Sequence, residues 1–120
     1  MEATDKKYLE AIFIIKDREN QVRAAHIARQ LEVSRTSVCR ALKKLEELEY
    51  IQIDVNKCIY LTTLGLEKAQ SVYNKHILVE QFLSKVINVP HEIAYKDASR
   101  MKHYISDEVC IGIQKFLLDW

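Results

Sequence analysis

A chain of 120 residues, 48% hydrophobic and 29% charged with a net charge of +1, has the size and composition of one packed domain, or of a small domain with a helical extension. Two glycines and one proline are too few turn formers for an all-β sandwich, and they exclude a glycine-rich phosphate loop. No apolar run approaches the roughly 20 residues that span a bilayer, and the opening residues are too polar for a signal peptide.

In chain order, Thr4 is expected to cap a first helix in which Tyr8, Ala11, Ile12 and Ile15 recur at core-facing spacing as far as about Asp17. A polar loop to Gln21 precedes a short helix from Ala24 to Leu31, with Ile27, Ala28 and Leu31 turned inward. Glu32-Val33-Ser34 is a tight turn, and Ser34 is the natural cap of a third helix running to about Glu47. Val38, Leu42, Leu45 and Leu48 form its apolar face. The opposite face carries Thr36, Cys39, Arg40 and Lys43, with Arg35 and Ser37 in the first turn. Short helix, three-residue turn and longer helix with a basic outer face is the layout of a helix-turn-helix.

Charge supports that layout. Between Arg23 and Lys44 lie six basic residues (Arg23, Arg29, Arg35, Arg40, Lys43 and Lys44) against a single acid, Glu32. Two β-prone runs follow, Ile51–Asp54 and Cys58–Leu61, and Asn56 between them tolerates the left-handed backbone of a tight hairpin. A hairpin in this place is a wing, able to lay Lys57 against a phosphate backbone. Thr62 or Thr63 then caps a long helix reaching about Ile87, which Asn88-Val89-Pro90 ends. Pro90 or His91 opens a further helix through Ile105. Ser106 caps a last one, whose Val109, Ile113, Phe116, Leu117 and Trp120 make one apolar stripe. That stripe either covers the long helix or meets a second copy of the chain. Cys39, Cys58 and Cys110 are odd in number and scattered, which suits buried small side chains in a reducing cytoplasm, not a disulfide framework or zinc ribbon.

These residues, in this order, resemble the diphtheria-toxin-repressor and manganese-transport-regulator family of metal-responsive transcription factors. The likeness is carried by Tyr8-Leu9-Glu10-Ala11-Ile12, by His26-Ile27-Ala28 with Leu31 through Val38, and by Leu61-Thr62 with Gly65. Lys75-His76-Ile77-Leu78-Val79-Glu80, His103 and Ser106-Asp107-Glu108-Val109 complete it. The resemblance implies a mainly α chain: a winged helix-turn-helix DNA-binding domain over residues 1–62, then a helical dimerisation and metal-sensing domain over 63–120. It further implies a homodimeric repressor on a palindromic double-stranded operator, which the cysteines and the absence of a spanning run place in the cytoplasm and off the membrane. Outward spacing opposite Val38, Leu42 and Leu45 assigns Arg35, Thr36, Ser37 and Arg40 to reading bases, while Lys43, Lys44 and the wing's Lys57 are expected to hold phosphates. Genes of metal-ion homeostasis are the repressor's expected targets.

Glu10, His76, Glu80 and His103 fall where the family places ligands for manganese or iron, and with an imidazole-binding ion such as zinc they could form a residual site. Three positions depart from that pattern. Lys7 stands in place of an acidic or thioether ligand, Ser99 in place of glutamate or cysteine, and Lys102 in place of glutamate. An ammonium donates hydrogen bonds and accepts none, so it cannot ligate a cation. Lys7 and Lys102 could instead set permanent positive charges beside Glu10 and Glu80, doing the metal's work with protein groups. Ordinary readings stand beside these: His76 shares the stripe Val72, His76, Val79, Leu83 and Val86 and suits a core histidine, while His26 and His91 open helices as surface residues. A second function from another class is a winged-helix protein-interaction module without specific operator binding. An enzyme is not expected, because no nucleophile–base pair stands at a recognisable spacing.

Overall fold

The computed structural model describes residues 2–120. Its elements are α1 (Ala3–Arg18), α2 (Ala24–Leu31), α3 (Arg35–Glu47), β1 (Ile51–Ile53), β2 (Ile59–Leu61), α4 (Thr63–Gln81) continued by a π-helical turn (Phe82–Val86), α5 (His91–Met101) and α6 (Asp107–Leu118). This is the winged helix-turn-helix followed by helices that the periodicity predicts. The fold divides into two compact units, one running to Gln70 and the other Ser71–Trp120, so the first turns of α4 belong with the winged helix. Among the described residues no helix is long and apolar enough to cross a membrane.

The first unit has a continuous core. Tyr8, Leu9, Ile12 and Ile15 of α1, Ile27 of α2, Val38, Leu42 and Leu45 of α3, and Ile51 and Ile59 of the hairpin pack together. The strands pair antiparallel with Ile51 opposite Leu61 and Gln52 opposite Tyr60. The two-residue pleat therefore sends Ile51 and Ile59 into the core and leaves Gln52 and Tyr60 in solvent.

Helix ends show how a glycine-poor chain turns. Glu32 (φ 56°) and Glu49 (φ 65°) adopt the left-handed conformation past the ends of α2 and α3. The next amides then reach back, Val33 N–H to the Ala28 carbonyl at 3.1 Å and Tyr50 N–H to that of Leu45 at 3.0 Å. A side chain in that region costs about 1 kcal/mol, which the closing bonds offset. Gly65 answers a different need: a Cβ there would lie 1.9 Å from the Tyr50 carbonyl oxygen. Thr62 seals the same corner, donating its hydroxyl to the Glu49 carbonyl at 2.7 Å and accepting from Gly65 N–H at 3.1 Å.

Three sequence expectations are corrected. Thr4 does not cap α1; the cap is Glu2, whose N–H donates to Asp5 Oδ2 at 3.2 Å, because an acid three residues into a helix can reach back to the cap amide. The left-handed residue of the hairpin is Lys57 (φ 67°), not Asn56. The third correction concerns α5, which stops at Met101 and not at Ile105: Tyr104 and Ile105 N–H both close on the Met101 carbonyl at 3.0 Å, turning the chain toward the Ser106 cap of α6. In the long helix, the Ser84 hydroxyl donates to the Glu80 carbonyl at 2.9 Å. This competes with the regular i−4 bond where the helix widens into its π turn.

Candidate functional site

Ser34 sets the start of α3 by accepting from Ser37 N–H at 3.1 Å. From there Val38, Leu42 and Leu45 face the core, and Arg35, Thr36, Ser37, Cys39, Arg40 and Lys43 face solvent. Among the described residues none of Arg35, Arg40 or Lys43 is drawn into an ion pair. A row of cations and hydroxyls on a helix anchored from behind offers charge for phosphates and hydrogen bonds for base edges.

The wing is stiffer than its composition suggests. Asp54 Oδ1 accepts from the amides of Asn56 and Cys58, both at 2.9 Å, and Oδ2 accepts from the Tyr60 hydroxyl at 3.3 Å. The amides hold the Asp54 carboxyl below its ordinary pKa, and the carboxylate in turn pushes the Tyr60 phenol up. Arg23 clasps the tip, its guanidinium donating to the Asn56 carbonyl at 2.7 Å. Lys57 is thereby presented, exposed, at a fixed turn. Sequence reasoning did not single out Asp54 or Arg23. An aspartate two residues before Asn56 is a recognisable turn signal for the first, but no local pattern announces the second.

The ammonium of Lys44, expected at a phosphate, is turned to α1, 3.2 Å from Asp5 Oδ2 and 3.5 Å from Glu2 Oε2.

The candidate metal ligands divide between the two units, Glu10 in the first and His76, Glu80 and His103 in the second. Glu10 is buried. Within the second unit His76 and Glu80 are brought together across one helical turn, Nε2 to Oε2 at 3.1 Å, with the Tyr95 ring edge-on to the imidazole at a centroid distance of 4.9 Å. The other carboxylate oxygen of Glu80 lies 3.3 Å from Nε2 of His91, a residue that its sequence position alone assigned to the surface away from this group. His91 is indeed exposed, but the π turn and the following bend return the chain to Glu80. His103 is half-buried in the turn after α5.

The departures fall out differently. Lys102 is 8% exposed, so an ammonium occupies the interior where a ligand carboxylate was expected. Ser99 spends its hydroxyl on the Tyr95 carbonyl at 2.9 Å. Lys7 is exposed on α1. Among the described residues no group of three or more His, Cys, Asp or Glu side chains is arranged to hold a metal ion.

Residues 1–58 match the family model for the iron-dependent repressor N-terminal DNA-binding domain, and residues 62–119 that for the iron-dependent repressor metal-binding and dimerisation domain. The chain is 27% identical to a helix-turn-helix-type transcriptional regulator of Methanocaldococcus jannaschii over 98% of its own length and 94% of that protein's. It is 32% identical to the transcriptional regulator MntR of Geobacillus kaustophilus over 82% of its length and 70% of the relative's. Among solved structures, the manganese regulator SloR superposes with a TM-score of 0.82 at 29% identity, over 94% of this chain and 53% of that one. The chain thus spans about half the length of that neighbour.

Proposed function

Because the chain belongs to the iron-dependent repressor family, a family of DNA-binding regulators and not of enzymes, we propose that it is a cytoplasmic, homodimeric repressor that binds a palindromic operator and no longer depends on a metal to do so. The observation that carries the DNA half is the outward row Arg35, Thr36, Ser37, Arg40 and Lys43, opposite the buried Val38, Leu42 and Leu45 on the second helix of a helix-turn-helix. In this reading α3 enters the major groove, Arg35 and Arg40 offer guanidinium forks to base edges, and Thr36 and Ser37 add hydroxyls. Lys43 and the wing's Lys57 hold phosphates. Arg40→Ala is expected to relax base preference at one half-site position by about 1–3 kcal/mol.

The metal half is supported by the buried Lys102 and the committed Ser99. An ammonium at this position would repel a divalent ion and could hold nearby acids without one. No step of the proposed mechanism passes through a metal. Operator binding measured in chelator, then with manganese, iron and zinc, tests both halves. Binding that survives chelation is expected, and Lys102→Glu is expected to introduce metal dependence. Loss of binding in chelator, restored by manganese or iron, would overturn the metal half alone. No binding to any duplex would overturn the DNA half.

A further inference from the structure

Lys44 lies in the last turn of α3, on the helix that carries the DNA-facing row, yet its ammonium points back to α1. Its partner, Asp5, is 4% exposed, whereas Glu2, which Lys44 also approaches, is largely in solvent. A carboxylate so buried is unfavourable unless opposite charge and hydrogen bonds compensate it. Asp5 has both: the Lys44 ammonium at 3.2 Å and the Glu2 amide at 3.2 Å. Asp5 also raises the Lys44 pKa, so the ammonium stays charged at neutral pH.

Val38, Leu42 and Leu45 set the depth of α3 by close packing in the core. The Lys44–Asp5 contact in the last turn of the helix adds a directional, charged restraint that apolar packing does not supply. We propose that Lys44 and Asp5 form a positioning pair that fixes the angle and register at which Arg35, Thr36, Ser37 and Arg40 meet DNA, and that Lys44 is not itself a phosphate contact. This rests on the reading of α3 as the recognition helix.

The test uses the full chain and two duplexes, one selected by the unmodified protein from a random-sequence pool and one of unrelated sequence, each titrated across a range of salt. Lys44→Met keeps length and apolar stem and removes the charge; Asp5→Asn keeps shape and removes the partner. Each is expected to weaken the selected duplex about tenfold, leave the unrelated duplex within about twofold, and leave the salt slope unchanged. Together they are expected to do no more than either alone, and Lys44→Arg, which can still pair with Asp5, is expected to restore selectivity. A mere loss of stability would not separate the two duplexes, since folded molecules would bind both as before.

A phosphate contact predicts the reverse. Lys44→Met would then weaken both duplexes alike, the slope would fall by about 0.9, and Asp5→Asn would have no effect; that result overturns the proposal. If Asp5→Asn does not fold, Lys44→Met and its arginine rescue decide the matter. Failure of the unmodified chain to bind any duplex removes the DNA reading and this role with it, whereas a slope-changing Lys44→Met in a DNA-binding chain removes this role alone.

Discussion

The two compact units bury different things. In the first, Leu9, Ile12, Ile15, Ile27, Val38 and Leu45 lose essentially all contact with water. In the second, the buried apolar side chains are Val72 and Val79 and the small Ala94 and Ala98, with His76 and Lys102 buried beside them as Asp5 and Glu10 are in the first. Several large apolar groups lie outside: Val109, Ile111, Phe116, Leu118 and Trp120 of the last helix and C-terminus are all about half-exposed or more. Phe116 stacks on Trp120 at 5.7 Å and meets the edge of Phe82 at 6.1 Å, so the aromatic surface is already ordered. One unit carries its own hydrophobic stabilisation and shows solvent a charged face. The other shows solvent the apolar surface that a dimerisation domain covers with its partner. Burying one such side chain is worth about 1.5–3 kcal/mol, so a few of them suffice for a stable contact.

The largest effect that tests this contrast is a truncation made in each unit. Leu45→Ala removes a fully buried side chain from the centre of the first core and is expected to cost about 3–4 kcal/mol in denaturant unfolding. Val109→Ala, on the exposed side of α6, is expected to change monomer stability by no more than about 0.5 kcal/mol. Comparable losses at both positions would mean that the second unit has a core of its own after all.

Next in size is the dimer itself. Phe116→Asp places a charge in the middle of the aromatic surface and is expected to raise the dimer dissociation constant at least a hundredfold, about 2.8 kcal/mol, with operator affinity falling alongside. Sedimentation of the unmodified chain as a monomer at micromolar concentration would sink this part of the contrast.

A smaller change tests whether the first unit owes its stability to packing detail as well as to burial. The Cβ introduced by Gly65→Ala would meet the Tyr50 carbonyl, a backbone atom that cannot swing aside, so α4 must shift at its first turn. A loss of about 2–3 kcal/mol is expected. A neutral result would show that this corner yields without cost.

How far each unit could be read from sequence follows from the same contrast. Helix periodicity, the Ser34 and Ser106 caps and the alternation in the hairpin are local patterns, and the structure realises them. The basic row on α3 was legible for the same reason, since a helix with Val38, Leu42 and Leu45 inward must turn Arg35, Arg40 and Lys43 outward. What escaped depends on residues far apart in the chain. The pairing of Lys44 with Asp5, from the first helix, has no local signature in the sequence. His91 reaches Glu80 only because of the π turn and the bend after it, and neither has a periodic signature. Lys102 could be read as a lost ligand from its place alone, but its burial could not.

The smallest effect concerns the wing, the part of the first unit whose order rests on a charge and not on the core. Asp54 accepts two amides and a phenol, and its carboxyl titrates below the ordinary aspartate range near 3.9. A depressed folded pKa means that the ionised carboxylate stabilises the folded turn. That contribution is complete above the unfolded value and disappears as pH falls through the lower folded one. The Asn56 and Cys58 amide resonances are therefore expected to titrate together with one midpoint below about 3.9, while the Leu45 and Ile12 amides of the core do not follow. Asp54→Asn keeps an acceptor for the amides, so it should abolish the titration yet leave the turn formed. Asp54→Ala should loosen the Asn56–Lys57 tip, shift the Tyr60 phenol back toward its usual pKa, and leave global unfolding nearly unchanged, since Asp54 lies outside the core cluster. A midpoint at or above the ordinary aspartate value would show that the amides do not hold the carboxylate. Lys57 would then be presented to DNA by the Arg23 clasp alone.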